Sequence, residues 1–228
     1  RLGEILEGVY NRAEQNVHDV TVAEASAALA AAGADCCVAL GGGSAIGLGK
    51  ALARASGLPL AAVPTTYSGS EMTSIWGLTE DGDKRTGRDV RAAARLVLYD
   101  PELTCDLPAT VSAESGLNAV AHAVEALYAP NLAPDTAATA EEAIRRLADA
   151  LPRVVRDLRN ADVRAEALMG AHLAGCALDQ AAMGLHHRLC HVLGGMFGTP
   201  HARTHALLLP HVAAFNAPAA SEAMRRVA

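Results

Sequence analysis

The stretch ADCCVALGGGSAIGLGKAL, residues 34–52, decides how the rest of the chain is read. A short apolar run ends in three consecutive glycines and a serine, and an Ala/Leu-rich segment follows at once. The apolar run at 35–40 reads as a buried strand, and 45–56 reads as a helix. Backbone this bare between the two has two uses. It makes a tight strand-to-helix turn, or it lets main-chain N–H groups approach a phosphate at the N-terminus of the next helix. The pattern is neither GxGxxG nor a P-loop, because Lys50 stands seven residues beyond Gly43.

Working outward, residues 1–18 carry a helical pattern, and TVAEASAALAAAG (21–33) is an Ala-rich helix stopped by Gly33. LPLAAVPTT (58–66) is a second apolar strand, and MTSIWGLT (72–79) and RLVLYD (95–100) are two more. The stretch EDGDKRTGRD (80–89) reads as a turn between them. Helices alternating with apolar strands predict a parallel, doubly wound, Rossmann-like sheet. From about residue 110 the pattern is helical throughout. Pro108 marks the expected boundary between an α/β domain (1–107) and an all-helical domain (108–228).

The second apolar strand ends in PTTYSGSEMT (64–73), whose Thr65, Thr66, Ser68 and Ser70 hydroxyls suit ribose or phosphate oxygens. In open α/β sheets ligands gather beyond the carboxyl ends of strands. Two such loops on adjacent strand ends favour a dinucleotide over two ligand-free turns.

The chain has 228 residues, 51% hydrophobic and 19% charged, a globular balance that excludes disorder. No apolar run reaches the roughly 20 residues of a membrane span. The net charge of −6, with scattered basic residues, excludes a nucleic-acid surface. Five cysteines form no CxxC pair, which predicts free thiols and a cytoplasmic setting. The helix-like text at both ends predicts a chain truncated at both ends.

The helical half carries the reactive side chains. In SAESGLNAVAHAVEALY (112–128), Asn118 and His122 are four apart on one face, with Glu125 three further on. Thr110, Ser112 and Glu114 supply a capping signal for the start of that helix. Nine histidines occur in the chain, and His186, His187, His191, His201, His205 and His211 fall within one short segment. His187 and His191 share a helix face, and the Glu of HExxH is missing. For His172, His186, His205 and His211, ordinary hydrogen-bonded positions are the expected reading. As a set, the histidines predict a site for a metal, an oxyanion or a carboxylate.

GGGSAIGLGKA, PTTYSGSEMT, YDPELTCDLPATVSAESGLNAVAHAVEA and GLHHRLCHVLGGMFGTPH together resemble the iron-containing alcohol dehydrogenase superfamily, and within it the maleylacetate reductase branch. The resemblance runs from about residue 20 to 217. It implies a dehydroquinate synthase-like fold, with a dinucleotide-binding domain, a helical domain and an active site in the cleft between them. Metal-dependent members carry DAxxHAxE, and their ligand set carried over is Asn118, His122, His187 and His201. Here the aspartate is Asn118, Gly47 replaces a second aspartate, and the PTT loop is shorter. These departures imply no tightly bound metal, because an amide carbonyl is a weaker ligand than a carboxylate.

The resemblance further implies reduction of the maleylacetate C=C bond to 3-oxoadipate in aromatic catabolism, with NADH, or NADPH, as reductant. His122, His187 and His201, assisted by Asn118 and His191, are the implied catalytic residues. Gly42, Gly43, Ser44, Thr65, Thr66, Ser70 and Lys84 are the implied cofactor contacts. Arg88 and Arg188 are the candidates for the substrate carboxylates, with solvated surface charge the competing reading for each. A homodimer with no nucleic-acid or membrane partner is expected. The alternatives are a metal-dependent alcohol dehydrogenase of the same superfamily and a non-catalytic nucleotide-binding protein.

Overall fold

The computed structural model describes residues 3–81 and 83–228. Contacts divide the chain into two compact units, one formed by Arg1–Pro64 and Ser74–Leu98, the other by Thr65–Thr73 and Tyr99–Ala228. The second strand therefore ends one unit, and the loop that follows it belongs to the other.

In the first unit, helix α1 (Asp19–Ala32) precedes strand β1 (Cys37–Gly41), helix α2 (Gly43–Ser56) and strand β2 (Leu60–Pro64). Strands β3 (Ile75–Glu80) and β4 (Asp83–Arg88) form an antiparallel pair, and the two-residue β5 (Leu96–Val97) follows. The parallel sheet has the order β1-β2-β5, with Gly41 opposite Pro64 at the carboxyl ends of β1 and β2. Helix α2 lies close on this sheet because Gly49 has no side chain. A Cβ there would stand 2.7 Å from Ala39 Cβ and 3.0 Å from Leu60 Cδ1. Ile46, Ala53, Leu60 and Ala62 fill the core beneath it.

Three expectations are corrected here. Among the described residues, 3–18 form a 3₁₀ turn at Gly3–Ile5, a further turn at 15–16 and a bridge from His18 to Thr79, rather than a helix, and Arg1 and Leu2 lie outside the described residues. The physical reason lies at the far end of the segment. Asn16 and Val17 take positive φ (68° and 41°), and their carbonyls accept from Thr79 Oγ1 and Thr79 N. Backbone groups that a helix would have used are bonded to β3. Six of the ten residues of the expected turn at 80–89 form β4, which pairs with β3 residue for residue. The strand expected over 95–100 shrinks to β5.

The second unit is a helical bundle of α3 (Ala109–Leu127), α4 (Pro134–Arg156), α5 (Ala161–Gln180), α6 (Leu185–Phe197), α7 (His201–Asn216) and α8 (Ser221–Val227). Helix α3 starts at Ala109 with Pro108 as its N-cap, so the capping signal at 110–114 falls inside the helix. Alanines dominate the core of α3, α4 and α5, so the helices approach closely. Residues 65–73 pack on α5. Gly69 sits at φ 72°, and a Cβ on Gly175 would stand 2.1 Å from its carbonyl oxygen.

The buried guanidinium of Arg164 ties this unit together. It donates to Tyr67 Oη at 2.7 Å, Leu158 O at 2.6 Å, and Ser112 Oγ and Leu107 O at 3.4 Å. Tyr67 is itself fully buried, and its backbone N–H donates to Ser115 Oγ. Loop 65–73 is thus bonded into α3 and α5 from beneath.

Candidate active site

Helix α3 is buried along a wide face, and Asn118, His122 and Glu125 lie on it with 2%, 5% and 2% of their surface exposed. Helix α6 contributes His186, His187 and Cys190, and the first turns of α7 contribute His205, all buried. The His122 ring centroid is 5.0 Å from that of His187 and 5.8 Å from that of His205, and the last two are 4.9 Å apart.

The hydrogen bonds assign the protons. Asn118 Nδ2 donates to Ser68 O at 3.4 Å, which turns its carbonyl toward His122. Asn118 Oδ1 therefore accepts from His122 Nε2, 3.1 Å away. A neutral imidazole has one N–H, so His122 Nδ1 is left as a lone pair. Glu125 accepts from the backbone N–H of His186 at 2.8 Å and of His187 at 3.4 Å, and its Oε2 also accepts from His187 Nδ1. His187 Nε2 is then the lone pair of the neutral ring. His186 Nε2 and His205 Nδ1 share one hydrogen across 3.0 Å. Among the described residues, His122 Nδ1, His187 Nε2 and His205 Nε2 are buried without a hydrogen-bond partner.

Burial pushes the His122 and His205 rings well below the ordinary imidazole range, and the neighbouring histidines act in the same direction. Burial, then His187, holds His186 down at about 4 against the opposing pull of Glu125. Burial alone works to raise the Glu125 carboxyl. The His187 hydrogen bond and charge, with the His186 N–H, outweigh it and leave the carboxyl below its ordinary value.

One ring nitrogen from each of His122, His187 and His205 lies within 4.8 Å of the others. These rings fit a divalent ion. Their uncommitted nitrogens are unpartnered, and two of the rings are oriented by Asn118 and Glu125, the outer support that metal-binding histidines usually have. All three donors are neutral imidazoles, a ligand set that zinc-class ions take in catalytic sites.

Asn118, His122 and His187 stand together. His205 draws close to His122 and His187, and His201, implied by the resemblance, acts electrostatically on both His122 and His205. His201, exposed at the start of α7, has its ring 4.4 Å from His205 and stacked 6.2 Å from half-buried His191. His205 was expected to be an ordinary core histidine. Its position four residues after His201, one turn along the same helix, was the available signal. Arg188 is exposed on α6. Glu125 stands in the matched motif, but its contact with His187 arises only where the first turn of α6 reaches α3.

Thr65, Thr66 and Ser70 belong to the second unit, in the loop whose neighbouring Ser68 carbonyl Asn118 holds. Gly42, Gly43, Ser44, Lys84 and Arg88 belong to the first. There Gly42 is the N-cap of α2, and a Cβ on exposed Gly43 would meet nothing within 4 Å. The α2 N-terminus is therefore reachable from solvent. Lys84 Nζ donates to Asn16 Oδ1 at 3.5 Å, and Arg88 is exposed on β4. Gly47, the second departure from the metal-dependent pattern, has a packing role, because a Cβ would stand 2.8 Å from Val17 Cγ2.

Comparison with known proteins fits this arrangement. Residues 2–101 match the family described as iron-containing alcohol dehydrogenase, and residues 112–228 match its C-terminal domain. The chain is 52% identical over 225 residues to a maleylacetate reductase of Sphingobium indicum, covering 99% of this chain and 64% of that protein. It is 53% identical over 227 residues to maleylacetate reductase 2 of Cupriavidus pinatubonensis, covering 100% and 63%. The crystal structure of maleylacetate reductase from Rhizobium sp. strain MTP-10005 superposes with a TM-score of 0.94 at 45% identity, over 99% of this chain and 65% of that one. The chain thus spans a little under two thirds of the length of the relatives it matches. With both halves matched and the histidine-bearing helices inside the match, the chain belongs to the iron-containing alcohol dehydrogenase family.

Proposed function

We propose that the protein is an NAD(P)H-dependent reductase of the maleylacetate C=C bond, giving 3-oxoadipate. The observation that carries this reading is the identity of about half, over essentially the whole chain, with proteins that bear that activity as their name.

The residues suit the chemistry. Hydride addition to the β-carbon of a conjugated ketone places negative charge on the ketone oxygen, which needs a donor and then a proton reaches the adjacent carbon. Neutral His122 cannot be that donor, since its one N–H is committed to Asn118. His187 can, because the Glu125 carboxylate on Nδ1 balances a positive ring and frees an N–H at Nε2. The family's metal, if bound by His122, His187 and His205, would supply Lewis-acid polarisation of the same oxygen. His187 Nε2 holds either a proton or an ion, so the two readings exclude each other. We assign the proton to this atom, with no divalent ion required for turnover. Cofactor diphosphate is assigned to the α2 N-terminus at Gly42, Gly43 and Ser44, with Thr65, Thr66, Ser70 and Lys84 as further contacts. Arg88 and Arg188 are assigned to the substrate carboxylates.

No helix among the described residues is long and apolar enough to cross a membrane. The free cysteines support a reducing cytoplasmic setting, and we read the assembly as a homodimer.

The test uses the full-length protein, NADH and maleylacetate. NADH consumption that persists after exhaustive chelation is expected. Alcohol-dependent reduction of NAD⁺ that requires added iron or zinc, with no turnover of maleylacetate, would replace this reading with the metal-dependent alcohol dehydrogenase. Binding of NADH with neither activity would leave a non-catalytic nucleotide-binding protein.

A further inference from the structure

His205 faces two groups of side chains, and only one of them belongs to the site above. His186 stands on its Nδ1 side, and Cys190, four residues along α6, shares a helix face with His186. His186 Nε2 lies 3.0 Å from His205 Nδ1 and 3.7 Å from Cys190 Sγ. His186, Cys190 and His205 have ligand atoms within 4.8 Å of one another, and all three residues are buried.

The geometry points to a second cation site, formed by His186 Nε2, His205 Nδ1 and Cys190 Sγ, for a thiophilic divalent ion of the zinc class. A tetrahedral ion with bonds of about 2.0 Å to nitrogen and 2.3 Å to sulfur has edges of about 3.3 Å between nitrogens and 3.6 Å between nitrogen and sulfur. The His186–His205 and His186–Cys190 separations lie within about 0.3 Å of those edges, and the remaining pair of ligand atoms lies within 4.8 Å.

The site is chemically distinct from the three-histidine set. A coordinating thiol deprotonates and becomes an anionic, soft ligand, which selects zinc-class ions over hard oxygen-seeking ones. The two sites share one ring, since His205 offers Nδ1 here and Nε2 there. An ion at Cys190 therefore fixes the tautomer and orientation of His205 in the other set. The inference rests on these distances and not on the identity of the substrate.

The experiment is a titration of chelator-treated, reduced full-length protein with Co²⁺. A thiolate-to-cobalt charge-transfer band in the near ultraviolet is expected, saturating at one equivalent. The band should vanish in Cys190→Ser and persist in Cys176→Ser and His122→Ala. Should Cys190→Ser fail to fold, X-ray absorption of the wild-type cobalt protein decides, with one sulfur expected at about 2.3 Å. Absence of the band or of that sulfur in folded wild-type protein overturns the proposal, as does a band that survives in folded Cys190→Ser. None of these outcomes depends on whether maleylacetate is reduced.

Discussion

Asn118 holds Ser68 O with its amide and the His122 ring with its carbonyl, so one neutral side chain sets the tautomer of a buried imidazole. Replacing it with aspartate puts an anion beside the ring. Asn118→Asp is expected to raise retention of a divalent ion through dialysis by at least tenfold, read by elemental analysis, while losing the bond to Ser68, worth about 1 kcal/mol. Glu125 is the counterpart on the other ring. Glutamine keeps the shape but cannot balance a charged His187, so Glu125→Gln should lower turnover about a hundredfold and leave NADH affinity nearly unchanged. Steady-state kinetics with maleylacetate, alongside NADH fluorescence titration, check both halves. The pairing of His187 with Glu125 was not legible in the sequence, because the two are 62 residues apart and meet only when the first turn of α6 is brought to α3 in the folded chain.

Helix α2 shows at the scale of an element how glycines a few residues apart answer different demands. Gly49 is needed by packing and Gly43 is not, since a Cβ meets Ala39 and Leu60 at the first position and open space at the second. Gly49→Ala should destabilise the protein by about 1–3 kcal/mol in denaturant unfolding. Gly43→Ala should leave stability within about 0.5 kcal/mol yet weaken NADH binding, because the methyl group would intrude where a diphosphate approaches the α2 N-terminus. Equal loss of stability in the two variants would show that the glycine run is only a turn. The glycine run and both apolar strands were legible because their signals are local. The segment 3–18 misled because its helical spacing is real, whereas its backbone hydrogen bonds go to Thr79 on β3.

Across the whole molecule, the division into units departs from simple chain order, since Thr65–Thr73 leaves the sheet and joins the helices. The boundary expected from the sequence lies at 107 and 108, where the helical pattern begins. Tyr67, Ser68 and Gly69 hold the loop in place through Arg164, Asn118 and α5. Arg164→Met should therefore cost about 3 kcal/mol in denaturant unfolding, since several buried oxygens lose their donor together. A cost below about 1 kcal/mol would show that the loop is held by apolar contacts alone.

The sequence by itself determined the α/β-then-helical order, the strand-to-helix glycine turn, the family, and the placing of Asn118, His122 and His187 on helix faces. Each depends on spacing within one element, which the backbone period converts directly into direction. Only the tertiary structure decided that His205 joins His122 and His187, that Glu125 buttresses His187, and that Cys190 lies against His186 and His205. Those contacts depend on the register of α6 and α7 against α3, which is set by how side chains from distant parts of the chain fill one core, and no local pattern encodes it.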